Sequence, residues 1–271
     1  MTGAAVCCDP DPMRARSFSA VRPARESLDQ RTVPIDHEHT PEAIRARLAG
    51  RPGQRYLRDW VLGGIDGSVT TFAVVSGVQG AHLSPGIVLI LGFANLLADG
   101  LSMAVGNYLG TRAERDERLQ LEEMEYRHID LYPEGEREEI REIFRGKGIE
   151  GEMLEGVTER ITADRRRWVR TMLTEEFGLP RESRSEWAAA LCTFAAFVLC
   201  GIVPLVPYLT GAASPFPVAA GATGLTFLAI GSLRSRWSLR AWWRTGLETL
   251  AVGSVASAAA YGVGVLLRGL A

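Results

Sequence analysis

From Trp187 to Leu233 the chain carries no charged residue, although 23% of its residues are charged overall. A run of that length is too apolar for a soluble surface and too long for one core helix. It points to a membrane, whose hydrocarbon core is crossed by about 20 predominantly apolar residues in a helix. The same criterion finds five spans, at roughly 60–82, 86–109, 187–209, 215–233 and 245–267. Ser84-Pro85 and Ser214-Pro215 offer a cap and a first-turn proline to the second and fourth. "SRSE" (183–186) is a capping-box pattern ahead of the third.

Charge is concentrated elsewhere. Residues 1–59 hold ten Arg and eight acids, and residues 112–186 hold twenty-one acids and fifteen bases. The connections at 82–85 and 209–214 lack Lys and Arg. The 234–244 connection has Arg234, Arg236, Arg240 and Arg244 interleaved with Trp237, Trp242 and Trp243. By the positive-inside rule all basic segments fall on one side, with the N-terminus and the 110–186 insert in the cytosol. The expected fold is an all-α membrane protein with five transmembrane helices and a cytosolic helical insert between helices two and three. Its expected parts are a disordered tail (1–55), helices one and two (56–110), the acidic insert (111–182) and helices three to five (183–271). Within the tail, "HTPEAIRARL" (39–48) reads as a short helix capped by Thr40. Cys7 and Cys8 lie in the tail, and Cys192 and Cys200 in an apolar run. Their spacing matches neither a zinc site nor a disulfide framework.

Between Trp60 and Thr111 the only charges are Asp66 and Asp99. A carboxylate inside the bilayer costs several kcal/mol unless it faces protein or water, and it commonly marks an ion or proton path. The bland alternative is a protonated Asp bonded to a neighbouring Ser or Thr. Asn95, Asp99, Met103 and Asn107 recur every four residues, which lines them up on one helix face. Amide and carboxylate oxygens beside a thioether suit Fe²⁺ or Mn²⁺ better than Mg²⁺ or Ca²⁺. Asp66 approaches this stripe from the neighbouring helix or from a second subunit. Glu248 lies near the start of the fifth span, at its cytosolic end, and is read as interfacial.

The insert divides into helices. "TRAERDERLQLEEMEYRHIDL" continues span two without a breaker until Pro133, and three more segments follow: "EGEREEIREIFRGKG", "IEGEMLEGVTERIT" and "ADRRRWVRTMLTEEFG". Most of its Glu and Arg read as a solvated, ion-paired surface. Glu125 with His128, Glu136 with Glu139, and Met172 with Glu176 are spaced to share helix faces, and their convergence would form a divalent-metal site. Glu-x-x-His at 125–128 is also similar to di-iron carboxylate bundles. A second copy of that motif is missing, so an oxidase is disfavoured. No nucleophile–base arrangement supports another enzyme. With a net charge of −2 and basic residues mixed among acids, no nucleic-acid partner is expected.

Together "GGIDGSVTTFAVVSGVQGA", "GFANLLADGLSMAVGNYLG", the acidic insert and "WVRTMLTEEFGL" resemble the vacuolar iron transporter family over about residues 56–268. The resemblance implies a homodimer that moves Fe²⁺ or Mn²⁺ out of the cytosol between its subunits, coupled to protons. No tightly bound cofactor is implied, since the metal is the cargo. Asp66 matches the family's span-one carboxylate and Met103 its span-two methionine. Glu125, Glu136, Glu139, Met172 and Glu176 match positions of its metal-binding domain. Three positions depart: His128 stands in place of Glu, Leu173 in place of a second Met, and Asn95 in place of Glu, with Asp99 one turn further on. The expected membrane is a bacterial cell membrane or, alternatively, that of a vacuole. The competing reading is a membrane-anchored metal sensor or store that does not transport.

Overall fold

A computed structural model describes residues 38, 40–49, 56–180, 184–237 and 239–270. Every regular element among them is helical. The helix α1 (Pro41–Ala49) begins as expected, with Thr40 Oγ1 accepting from the Ala43 amide at 3.2 Å. The rest of the expected tail, including Cys7 and Cys8, lies outside the described residues.

Among the described residues, five helices are long and apolar enough to cross a membrane. These are α2 (Leu57–Gly80), the first half of α3 (Pro85–Leu131), α7 with its continuation (Glu186–Leu209), α9 (Pro215–Arg234) and α10 (Trp242–Leu267). The helix α2 is the most buried of them and packs against α3, α7, α9 and α10. Glycine makes that approach possible. A Cβ on Gly67 would stand 2.3 Å from the carbonyl oxygen of Phe197, and one on Gly63 would stand 2.4 Å from that of Thr193. Small residues at i, i+4 therefore let α7 lie backbone against backbone on α2. That contact turns the adjoining face of α2, which bears Asp66 and Thr70, toward α3.

Two details differ from the sequence reading. The third span is not one unbroken helix. It runs as α7 (Glu186–Gly201), a 3₁₀ turn (Val203–Leu205) and α8 (Val206–Leu209). Pro204 and Pro207 remove two amide donors and crowd the preceding turn, which breaks the α-helical ladder. Its cap is Ser185, whose hydroxyl accepts from the Ala188 amide at 3.4 Å. The pattern pointed to Ser183, which lies outside the described residues.

The helix α3 is a single rod of 47 residues, about 70 Å at 1.5 Å per residue. Its second half forms the insert with α4 (Pro133–Arg145), α5 (Gly151–Thr162) and α6 (Arg165–Glu175). Pro133 starts α4, and Asp164 caps α6 by accepting from Arg166 N and Arg167 N. Ile129, Ile140, Trp168, Val169, Met172 and Leu173 form the core of the insert, separate from the core of the spans.

Candidate metal path and acidic cluster

The helices α2 and α3 run antiparallel in a register that sets polar side chains opposite one another. Asn95 Nδ2 donates to Thr70 Oγ1 at 3.3 Å, and that hydroxyl donates to the Asp66 carbonyl at 2.9 Å. One turn along, the carboxylates of Asp66 and Asp99 lie within electrostatic reach of each other. Neither forms an ion pair with a base among the described residues. Met103, a further turn on, packs at the edge of the span core. Asp66, Asn95, Asp99 and Met103 are all half-buried. The neighbouring face of α3, with Leu97, Leu101 and Val105, is exposed in the single chain.

Asn107 stands apart from this group. Its amide donates to Asp59 Oδ1 at 3.1 Å, to the Ala189 carbonyl at 3.2 Å and to Thr193 Oγ1 at 2.7 Å. It ties α2, α3 and α7 together, and its donors are already engaged. Asp59 escaped the sequence reading because it was grouped with the charged tail. It is buried and pairs with Arg184 Nη1 at 3.0 Å. A signal was available: Asp59 lies seven residues before Asp66, hence on the same side of α2.

The insert sorts its acids into two groups. Glu134, Glu138, Glu142, Glu155, Glu175, Asp130 and Asp164 each sit beside an Arg or Lys on the surface. Glu125, Glu136, Glu139 and Glu176 have no such partner among the described residues. Glu125 is 2% exposed and Glu136 4% exposed, and the two carboxyls share a hydrogen bond. One oxygen of each, Oε2, is buried with no hydrogen-bond partner among the described residues. His128 Nδ1 stands 3.3 Å from Glu136 Oε1. Glu139 and Glu176 stand at the rim. Met172 is fully buried one turn before Glu176, against Ile129 and Ile140.

The electrostatics follow from burying acids together. Burial first, then the negative charge of Glu136, Glu176 and Glu139, pushes the Glu125 carboxyl up to about 8. Glu136 is raised by burial and by Glu139, and His128 works against that shift. Glu176 is raised by partial burial and by Glu139 and Glu136. Among the described residues no group of three His, Cys, Asp or Glu is set at metal-gripping spacing. A proton held at Glu125 relieves that repulsion. A cation would relieve it in the same way, and carboxylate oxygens suit a divalent metal.

Comparison with known proteins then places the chain. The model of the VIT family matches residues 57–265. The chain belongs to the VIT family. "Vacuolar iron transporter 1" of Oryza sativa subsp. japonica is 30% identical over 239 residues, spanning 87% of this chain and 92% of the relative. "Vacuolar iron transporter 1" of Eucalyptus grandis is 31% identical over 210 residues, 76% of this chain and 84% of its own. The "Vacuolar iron transporter" of Toxoplasma gondii is 29% identical over 273 residues, 95% and 87%. The family match covers all five spans and the insert, so the α2–α3 face and the acidic cluster both belong to the VIT-like part of the chain. Residues 1–56 and 266–271 fall outside it.

Proposed function

We propose that this VIT-family protein moves Fe²⁺, and Mn²⁺ as an alternative cargo, out of the cytosol in exchange for protons. The observation that carries this reading is the pair Asp66 and Asp99. They are two acids on the adjacent spans α2 and α3, within electrostatic reach of each other and without an ion-paired base among the described residues. An anchor has no use for such a pair, which is costly in lipid unless it serves a path. The names of the relatives, all iron transporters, point the same way.

Metal first meets the acidic cluster of Glu125, His128, Glu136, Glu139, Met172 and Glu176, on the cytosolic side. The path itself runs along Met103, Asp99, Asp66 and Asn95. Asn107 is left out of it, because its amide already joins three helices. The path lies at the edge of one chain, beside the exposed Leu97, Leu101 and Val105. A second copy packed on that face closes it, which is the reason to expect a homodimer. The relatives are named for the vacuole, and no observation on this chain carries the expected bacterial cell membrane. Transport by purified protein in liposomes, with Fe²⁺, Mn²⁺, Co²⁺ and Zn²⁺ and with or without a pH gradient, tests the proposal. The expected result is gradient-driven uptake of Fe²⁺ or Mn²⁺. Binding without uptake of any of the four would instead assign the protein to metal sensing or storage.

A further inference from the structure

The insert has a second polar feature, of opposite sign to the acidic cluster. A cavity of about 520 Å³ opens between α3 and α6, lined by Arg118, Glu122 and Tyr126 of α3 and by Arg166 and Arg170 of α6. Arg166 and Arg170 are one helical turn apart, so their guanidinium groups share a face. Neither has a carboxylate partner among the described residues, in contrast to the neighbouring Arg165 and Arg167, which pair with Asp130 and Asp164. Arg118 is held in position by donating to the Pro180 carbonyl. Arg166 and Arg170 give the wall formed by α6 a basic character. Tyr126 adds a phenol, and Arg165 stacks on its ring at 5.1 Å.

We infer that this cavity binds a phosphate group. Guanidinium forks match phosphate oxygens in pairs, and two arginines on one helix face can take an anionic phosphate between them. Its height along α3 bears on the source of that phosphate. Arg118 lies seven residues beyond Thr111, the last residue before charges resume, which is about 10 Å of helix. The headgroup layer is about 5–8 Å deep on each side of the hydrocarbon core, within reach of an arginine at that height. The phosphate therefore comes either from an anionic lipid headgroup or from free phosphate, and both present anionic phosphate oxygens. This inference does not depend on the transport reading.

The test measures binding to the full-length protein in detergent. The probes are inorganic phosphate, short-chain phosphatidylglycerol and short-chain phosphatidylcholine. The double variant Arg166→Gln/Arg170→Gln is expected to bind the preferred anion at least ~10-fold more weakly than wild type. Arg170→Gln alone should fall between the two, and it serves as the second variant if the double one unfolds. Phosphatidylcholine, with no net charge, should not distinguish them. Preference for phosphatidylglycerol assigns the site to a headgroup, and preference for inorganic phosphate assigns it to the free ion. Equal binding by wild type and both variants, or no anion binding up to about 10 mM, overturns the inference.

Discussion

Glu125→Gln is the substitution that isolates the acidic cluster. Glutamine keeps the shape of the side chain and stays neutral at every pH. In the wild type the folded group holds its proton up to about 8, whereas an unfolded glutamate loses it near 4.5. Between those values the native state binds more protons than the unfolded state, so the stability of the metal-free insert falls as pH rises. At 1.36 kcal/mol per pKa unit, the loss reaches ~5 kcal/mol above pH 8, with ~3 kcal/mol gone by pH 7. Hydrogen exchange of peptides covering 121–131 and 133–145, corrected for the intrinsic rate, reads this locally. Wild type should lose protection steadily from pH 5 to 8.5, and Glu125→Gln should show a much flatter profile. Adding Mn²⁺ at pH 8 should restore protection in the wild type. The same slope in both proteins would refute the idea that Glu125 carries the buried charge.

Other consequences can be measured separately. Metal binding at pH 7 should release about one proton and at pH 9 almost none, seen as a buffer-dependent heat in titration calorimetry. Replacing Glu136 and Glu139 by Gln should weaken metal binding at least ~10-fold, while Glu155→Gln, at a surface ion pair, should leave it unchanged. Asp59→Ala removes the buried carboxylate that Arg184 and Asn107 both contact, and a melting assay in detergent should show a loss of about 1–3 kcal/mol. Gly67→Ala forces a Cβ against the Phe197 carbonyl and should cost about 1–3 kcal/mol in the same assay.

Much of this architecture can be read directly from residue order. The spans are legible because lipid imposes one simple demand, a long run without charge. The boundary at Pro133 and the continuity of α3 are legible because a proline stops a helix and an unbroken helical pattern does not. The interruption at Pro204 and Pro207 was also visible as residues, but hydropathy averages over it. The acidic cluster was legible only as spacing. Glu125 and Glu138 look alike in the sequence, and only the structure places one in a core and the other beside Arg141. The surroundings of Asn107 were not legible for a related reason. Four-residue spacing reports a shared face, not the neighbour that face meets, and at Asn107 that neighbour is α7. Asp59 was hidden by its setting among tail charges.

The central claim is that the facing acids of α2 and α3 form a metal path. The most direct measurement is Fe²⁺ and Mn²⁺ uptake into liposomes containing wild type or Asp66→Ala at matched protein density. The account predicts that uptake is abolished in the variant while metal binding to the insert persists. Unchanged flux of both metals through Asp66→Ala would contradict it.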